Sequence, residues 1–292
     1  MTPDEIHELG LAEFARVQGE IQSAAAVLGY DPDELNERLA ADSPRLQGPA
    51  LRTEFERLIA LADGASRAYF NRYPAANLVI LQDPYGSLAY YLPPPMDGSG
   101  PGHFFVNLER PTPKSLLPAL TYHETIPGHH LQGALARELD IPIFRKDIEF
   151  NAYMEGWALY AEYLAWEMGL YGEDPLSNLG RLQFEEMRAL RLVVDTGVHD
   201  RGWTWSEASA RIEALTGESV SQEYLIRFLV LPGQACGYTI GMLKILELRQ
   251  RTMDALGEDF DLAAFHDVIL GNGPMPLEIL EGQVDAWIEA HK

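Results

Sequence analysis

The chain has 292 residues, 47% of them hydrophobic, and a formal net charge of -22, which argues against nucleic acid or an anionic membrane as its main partner. Its single cysteine, Cys236, cannot form a disulfide within the chain, which fits a reducing compartment. No run of about 18 apolar residues occurs, and the first residues lack the pattern of a signal peptide, so we expect a cytoplasmic protein without a membrane span.

The first quarter of the sequence is predicted to be helical. Thr2 and Glu5 have the spacing of a capping box, and apolar residues then recur at helical spacing. A second, short helix is predicted to open over residues 31–34, and a third to run from about 48 to 69. We expect this helical part to cover residues 1–72.

The middle of the chain changes to short strands. Three runs rich in β-branched or aromatic residues are separated by segments rich in proline and glycine. They are ANLVILQ at 76–82, LAYYL at 88–92 and HFFVNL at 103–108. We predict a small sheet or β-ribbon over about 76–108.

From residue 113 onwards the pattern is helical again. The predicted helices cover about 114–138, 147–170, 176–198, 205–215, 219–230, 234–255, 260–270 and 276–290. We find no internal repeat and no long polar linker. The sequence therefore predicts a mainly α fold with a small inserted sheet, organised as a single domain over residues 1–292, with its helical core at 113–292.

The segment TYHETIPGHHLQG, at 121–133, begins like the helix of a zinc peptidase, whose signature is H-E-x-x-H. A catalytic zinc ion commonly has three protein ligands and one open position, and a nearby glutamate takes a proton from the attacking water. His123 is therefore a candidate ligand and Glu124 a candidate general base. Pro127 stands at the fifth position, where the signature has its second histidine.

The second ligand must come from His129 or His130. On an unbroken helix His130 lies about 10.5 Å from His123 along the axis, and His129 is rotated away by about 120°. Neither could then share a metal ion with His123. Pro127 and Gly128 predict a break in the helix, which would bring His129 to the required spacing, with His130 as the alternative.

The segment at 150–164 supplies Glu155 and Glu162, which lie seven residues apart on one helical face. Glu155 is our candidate for the third ligand. Glu162 is a candidate partner that holds a ligand histidine in place. It could equally pair with an arginine, for instance Arg188 or Arg191.

Three further residues are candidates for stabilising a reaction intermediate. Asp195 and His199 lie four apart on one predicted helix, so His199 could donate to an oxyanion while Asp195 fixes its tautomer. The same pair could simply belong to the end of that helix, which Gly197 marks. Tyr238 lies near a predicted helix start, and a tyrosine hydroxyl is a suitable donor to a tetrahedral intermediate.

Several motifs resemble a known family in their order along the chain. They are TPDEIHELGLAEFARV, AYYLPPPMDGSGPGHFFVN, HETIPGHHLQ, EGWALYAE, LRLVVDTGVH and PGQACGYTIGMLKILELR. Together they resemble the bacterial domain-of-unknown-function family 885, DUF885, over essentially the whole chain. That family is similar to the mainly helical gluzincin metallopeptidases, which include the carboxypeptidase Taq, oligopeptidase and angiotensin-converting-enzyme groups.

The resemblance implies a zinc-dependent hydrolase, a metallopeptidase that cleaves peptide or peptide-like amide bonds through a zinc-activated water. It implies zinc ligands at His123, His129 and Glu155, with Glu124 as the base. GHHL in this chain resembles GHAL in those relatives, which favours His129 over His130.

The resemblance also implies how substrate is held. Tyr238 and His199 match positions where such peptidases place oxyanion donors. Ala89, Tyr90 and Tyr91 resemble the edge strand that binds extended substrate by β-pairing.

The chain departs from the family pattern in length. Typical members are longer, and this chain begins where their second half begins. A non-catalytic metal-binding or assembly remnant is therefore the alternative function, and a metal-free helical interaction protein is a third. We also expect a homodimer or a partner chain in place of the absent region.

Overall fold

The computed structural model describes residues 1–31 and 34–292, and over these the protein is mainly helical, as predicted. The helices are α1 Pro3–Val27, α2 Leu35–Asp42, α3 Gly48–Ser66, α4 Leu117–Glu124, α5 His129–Glu138, α6 Ile143–Asp147, α7 Asn151–Glu167, α8 Pro175–His199, α9 Trp205–Thr216, α10 Gln222–Val230, α11 Gly237–Leu256, α12 Leu262–Leu270 and α13 Leu277–His291. The strands are β1 Arg45–Leu46, β2 Leu78–Gln82, β3 Ala89–Leu92, β4 Gly102–Val106 and β5 Thr112–Pro113. The predicted start of the second helix, at 31–34, falls partly outside the described residues.

The first helix, α1, begins with the capping box that the sequence predicts. The Thr2 hydroxyl accepts from the Glu5 backbone N–H, and the Glu5 carboxylate accepts from the Thr2 N–H at 2.7 Å. Its apolar face, which includes Phe14, Val17 and Ile21, is buried, and α1 packs along α8. This contact supports the helix that forms one wall of the site described below.

The small sheet has three strands in the order β2-β4-β3. β2 runs parallel to β4, whereas β3 runs antiparallel to it. Phe104 of β4 is fully buried and its ring contacts that of Phe55 in α3, with centroids 5.1 Å apart. The sheet therefore packs on α3 through β4 and leaves β3 at an edge. The two-residue pair of β1 with β5 was not predicted.

The helix predicted over 114–138 is interrupted at the point where the sequence predicts a break. α4 ends at Glu124, and α5 begins at His129. The chain between them folds back so closely that a Cβ atom on Gly128 would overlap the carbonyl oxygens of Tyr122 and His123. Only glycine fits there, so residues 127 and 128 together explain the break.

Helix α7 carries two glutamates into the centre of the molecule. It is buried along most of its length, including the fully buried Trp157, and packs against α4, α5 and α11. At its crossing with α11, Gly156 and Gly241 bring the two backbones together. Because larger residues would hold these helices apart, the crossing fixes the distance between their polar side chains.

A sharp turn separates α10 from α11. Gly233 has a left-handed backbone (φ 77°), and a short 3-10 helix, Gln234–Cys236, leads into α11. The turn places Tyr238 in the first turn of α11, close to the predicted position.

No single helix in the described part of the chain is long and apolar enough to cross a membrane. Tyr224–Val230 and Gln234–Asp259 pass that test only as a pair bent by 110°.

Candidate metal centre

Three predicted ligands lie together. His123, His129 and Glu155 each offer one ligand atom, and these atoms lie within 4.8 Å of one another. Glu155 Oε2 is 3.4 Å from His123 Nε2 and 3.3 Å from His129 Nε2. This buried oxygen has no hydrogen-bond partner in the described structure. A buried oxygen without a partner is unfavourable. A zinc ion bound by this oxygen and the two imidazoles would satisfy it, and these are usual zinc ligands.

The break between α4 and α5 makes this grouping possible. His123 lies in the last turn of α4, and His129 is the first residue of α5. Their rings approach edge to face, with centroids 4.8 Å apart. Glu155 reaches them from the first half of α7. The three side chains therefore come from three helices, two of which are adjacent in sequence.

His123 is held from behind by Glu162. Its Nδ1 lies 2.8 Å from Glu162 Oε1, which also accepts from Arg188 Nη2 at 2.9 Å. Burial lowers the pKa of His123, but the nearby carboxylate of Glu155 and the hydrogen bond to Glu162 outweigh burial and raise it to about 9. With Nδ1 donating to Glu162, Nε2 faces the other ligand atoms. Both roles considered for Glu162, histidine partner and arginine partner, occur together.

Glu155 is ionised in this setting. Burial raises the pKa of its carboxyl group, but the nearby imidazoles of His123 and His129 outweigh burial and bring that pKa well below its ordinary value. Its second oxygen, Oε1, accepts from Gln234 Nε2 at 3.4 Å. The carboxylate is therefore charged and oriented by neighbours on both sides.

Glu124 lies beside this group with its carboxylate free. It is the last residue of α4, 8% exposed, and it lines the cleft that contains His123, His129 and Glu155. None of the side-chain hydrogen bonds in the described structure involves it. A carboxylate without a partner is available to accept a proton in the cleft.

The hydroxyl of Tyr238 is placed as a donor. The Tyr238 ring lies nearly parallel to that of His123, with centroids 6.1 Å apart. Its oxygen accepts from Arg227 Nη2 at 3.2 Å and from Gln234 Nε2 at 3.5 Å, which leaves its own hydrogen free. Burial first, and then the charge of Glu155, raise the pKa of Tyr238, so it stays protonated at neutral pH.

The structure does not bring His199 to the cleft. Its Nε2 bonds the backbone carbonyl of Phe228 at 2.7 Å. Asp195 accepts the Gly233 N–H through both oxygens, at 3.1 Å each, and forms no hydrogen bond to His199. The last turn of α8 faces α10 and the turn after it, so the pair holds these elements together. We leave His199 out of the site proposed below.

His130 also lies outside the ligand group. Its Nδ1 is 3.0 Å from the Tyr91 hydroxyl, and burial lowers its pKa to about 4. It therefore ties α5 to β3 as a neutral side chain. Between the two adjacent histidines, the structure places His129 with the other ligand atoms.

The cleft around this group has a volume of about 710 Å³. The predicted strand residues Ala89, Tyr90 and Tyr91 line it, and β3 is an edge strand. No sequence pattern indicates Arg227 or Gln234, which hold the Tyr238 hydroxyl. Only the turn before α11 brings them there, and no spacing in the sequence signals it.

The fold and the cleft define a mainly helical protein with a partly buried His–His–Glu group suited to a metal ion. The chain belongs to the family described as bacterial protein of unknown function (DUF885), which it matches over residues 1–284. A comparison with curated proteins gave no significant match.

Two solved structures are similar to the chain. One, described as a "putative lipoprotein" from Colwellia psychrerythraea, is 38% identical with a TM-score of 0.94, over 99% of this chain and 53% of that one. The other, described as a "putative lipoprotein of unknown function" from Shewanella oneidensis, is 22% identical with a TM-score of 0.78, over 97% of this chain and 56% of that one. The second likeness concerns the fold alone. This chain spans about half the length of either structure.

Proposed function

We propose that the protein is a zinc-dependent hydrolase, a metallopeptidase of the gluzincin type that cleaves peptide or peptide-like amide bonds. The observation that carries this proposal is the group of His123, His129 and Glu155 around an unsatisfied buried carboxylate oxygen, with the free carboxylate of Glu124 beside it. Two imidazoles and one carboxylate form a usual ligand set of catalytic zinc.

Several residues of the chain would hold the metal ion, each in a different role. His123, His129 and Glu155 would bind zinc, and Glu162 orients His123 through Nδ1. When bound, zinc supplies a Lewis acid that polarises a carbonyl and lowers the pKa of a water molecule. Arg188 Nη2 lies 2.9 Å from Glu162 Oε1, so the buried carboxylate has a positive partner besides His123.

Two residues act on the substrate in this proposal. Glu124 takes a proton from the attacking water and returns it to the leaving amine. The Tyr238 hydroxyl donates to the oxygen that becomes negative, since Arg227 and Gln234 already occupy its acceptor positions. The free edge of β3 binds an extended peptide by backbone pairing.

Metal content and one variant test the proposal. We expect elemental analysis to find about one zinc ion per chain, and to find its loss in His123→Ala and Glu155→Ala. Glu124→Gln should keep the metal and lower hydrolysis of a peptide library by about 100-fold or more, because it removes only the base. Full activity in Glu124→Gln would refute the mechanism, and failure to bind zinc on titration would refute the site.

A non-catalytic metal-binding or assembly role is the alternative. It uses the same group of His123, His129 and Glu155 but assigns that group no reaction. That role predicts bound zinc without hydrolysis, together with tight association with a second copy or another chain. Sedimentation equilibrium at several concentrations, on the same samples as the peptide assay, separates the two. A monomer that cleaves peptides would end the alternative.

The cellular location stays a prediction. The single cysteine fits a reducing cytoplasm, whereas each similar structure is described as a "putative lipoprotein". Fractionation of cells that produce the protein from its own gene decides between a cytoplasmic and an envelope location.

A further inference from the structure

The cleft has a different charge balance from the rest of the chain. The whole sequence has 44 acidic and 22 basic residues. Among the charged residues that line the cleft, the basic ones are Arg137, Lys146, Arg188, Arg191 and Arg227, and the acidic ones are Glu124, Asp147, Glu149 and Glu155. The whole chain thus has twice as many acidic as basic residues, whereas the cleft lining has slightly more basic than acidic residues.

Two of these arginines have no acidic partner. Arg191 is only 8% exposed, and its Nε has no hydrogen-bond partner. Arg227 bonds only neutral groups, Gln234 Oε1 at 2.9 Å and the Tyr238 hydroxyl, and its Nε is also unsatisfied. None of the ion pairs among the described residues includes either side chain. Arg188, by contrast, pairs with Glu162 at 2.9 Å.

A buried cation without a counter-charge is unfavourable, because it loses hydration and gains no ion pair. Arg191 is buried and Arg227 partly buried in the same cleft, which indicates that an anion completes the site. A guanidinium presents N–H donors in a planar fork that matches a carboxylate. The ligand class that fits is a carboxylate rather than a cation or a neutral group.

This pair of arginines lies next to the metal centre. The Cζ atom of Arg191 lies 5.0 Å from the centroid of the Tyr238 ring, and Arg227 Nη2 is 3.2 Å from the Tyr238 hydroxyl. The same ring faces that of His123 at 6.1 Å. A carboxylate bound by Arg191 and Arg227 would thus lie close to a substrate amide bond that is positioned beside the predicted metal ligands.

We propose that Arg191 and Arg227 form a subsite for a carboxylate of the substrate, adjacent to the bond that is cleaved. This inference rests on the proposed hydrolase function and names its substrate class. The carboxylate has two possible sources, the free α-carboxylate of a peptide or the side chain of an acidic residue. Both use the same recognition chemistry, so the experiment below separates them.

Binding of three matched probes tests the subsite. The probes are N-acetyl-alanyl-leucine as the free acid, the same dipeptide as its C-terminal amide, and N-acetyl-alanyl-glutamate with an α-amide. Calorimetric titration is done on zinc-loaded Glu124→Gln and on metal-free wild-type protein. We expect at least one carboxylate probe to bind about tenfold or more tightly than the leucine amide. Preference for the free acid assigns the α-carboxylate, and preference for the glutamate probe assigns the side chain.

Arginine variants show whether the subsite causes this preference. Arg191→Met should remove it, and Arg191→Lys should keep part of it, since the charge remains but the fork is lost. Arg211→Met is the matched control. Arg211 also lies over an aromatic ring, with its Cζ 5.1 Å from the centroid of Trp203, but it is exposed and outside the cleft. The control should keep the full preference.

Thermal unfolding gives a second readout. Removal of a buried, uncompensated charge should leave the Tm of metal-free Arg191→Met unchanged or raise it, whereas loss of a structural contact would lower it. The subsite would be overturned if the protein with both arginines showed no preference for a carboxylate probe. It would also be overturned if Arg191→Met and Arg227→Met both kept the full preference. Because the arginines do not depend on metal, the metal-free protein should still prefer the carboxylate even if zinc binding fails and the hydrolase proposal falls.

Discussion

Glu162 contacts the predicted metal ligand His123 but is not itself one of the three predicted ligands. It is 1% exposed, and one oxygen serves both His123 Nδ1 and Arg188 Nη2. A carboxylate in this position fixes the orientation of the imidazole and increases its basicity as a ligand. Without that charge, Arg188 would be left as a buried cation.

The Glu162→Gln variant should therefore bind zinc about 10- to 100-fold more weakly, although all three ligands remain. Competition with a chromophoric chelator measures the affinity. Glu167→Gln is the control, because Glu167 lies on the same helix but pairs with Arg249 at 2.6 Å, away from the metal ligands. Equal zinc affinity in wild type and Glu162→Gln would contradict the role given to Glu162.

Because His266 is buried, we expect the free energy of unfolding to decrease in mild acid. It is 1% exposed; Nδ1 bonds the Tyr69 carbonyl and Nε2 the Tyr160 hydroxyl, both at 2.9 Å. Burial lowers its pKa to about 3, against about 6.5 in the unfolded chain. The unfolded state thus gains a proton first, so the free energy of unfolding should fall by up to about 1.4 kcal/mol per pH unit from about pH 6.5 towards pH 3.

Urea unfolding between pH 4.5 and 8 measures this slope. His266→Gln should be less stable than wild type at pH 7, but the difference should shrink as the pH falls, because the variant lacks the titrating group. His291→Gln changes an exposed histidine near the C-terminus and should leave the slope as in wild type. Parallel curves for wild type and His266→Gln would count against this assignment.

The crossing of α7 and α11 sets the distance between Glu155 and Tyr238. A Cβ atom on Gly241 would overlap the carbonyl oxygen of Ala152 and lie 2.7 Å from Gly156 Cα. Gly241→Ala must therefore push the helices apart, and we expect a loss of about 1–3 kcal/mol of stability from the overpacking. Chemical denaturation measures it.

The same variant should lower catalytic activity more than zinc binding, because α11 carries Tyr238 but no metal ligand. Gly282→Ala is the matched control: it lies in α13, and its added Cβ has no atom within 4 Å outside the local backbone of its own helix. It should be neutral or stabilise the protein by up to about 1 kcal/mol, since alanine is the better helix former. Equal effects of the two changes would contradict the packing argument.

Zinc should stabilise the folded protein as a whole, because its proposed ligands come from α4, α5 and α7 and meet only after folding. At free zinc about 100-fold above Kd the gain is about 2.7 kcal/mol. We expect the Tm to rise by roughly 5 °C or more over the chelator-treated protein, and Glu155→Ala to show no such rise. Glu149→Ala, which changes a glutamate in the cleft outside the ligand group, should respond like wild type. An equal response of Glu155→Ala would place the zinc elsewhere.

The helices were predicted well where local chemistry defines them. Helix α1 could be predicted from local sequence alone, from the capping box of Thr2 and Glu5 and from the periodic apolar residues. Boundaries were less accurate where tertiary contacts decide them. The helix predicted to start near 147 starts at Asn151, after the short helix α6, which the sequence did not signal.

By itself the sequence determined the class of the fold and, through its motifs, the family. It also predicted the break after Glu124 and put Glu155 and Glu162 on one helical face, because these depend on the backbone chemistry of proline and glycine and on spacing along one helix. The tertiary structure decided what depends on distance in space. It turned His199 towards Phe228 and gathered arginines at the cleft. These outcomes follow from how α8, α10 and α11 pack, and no local pattern carries that information.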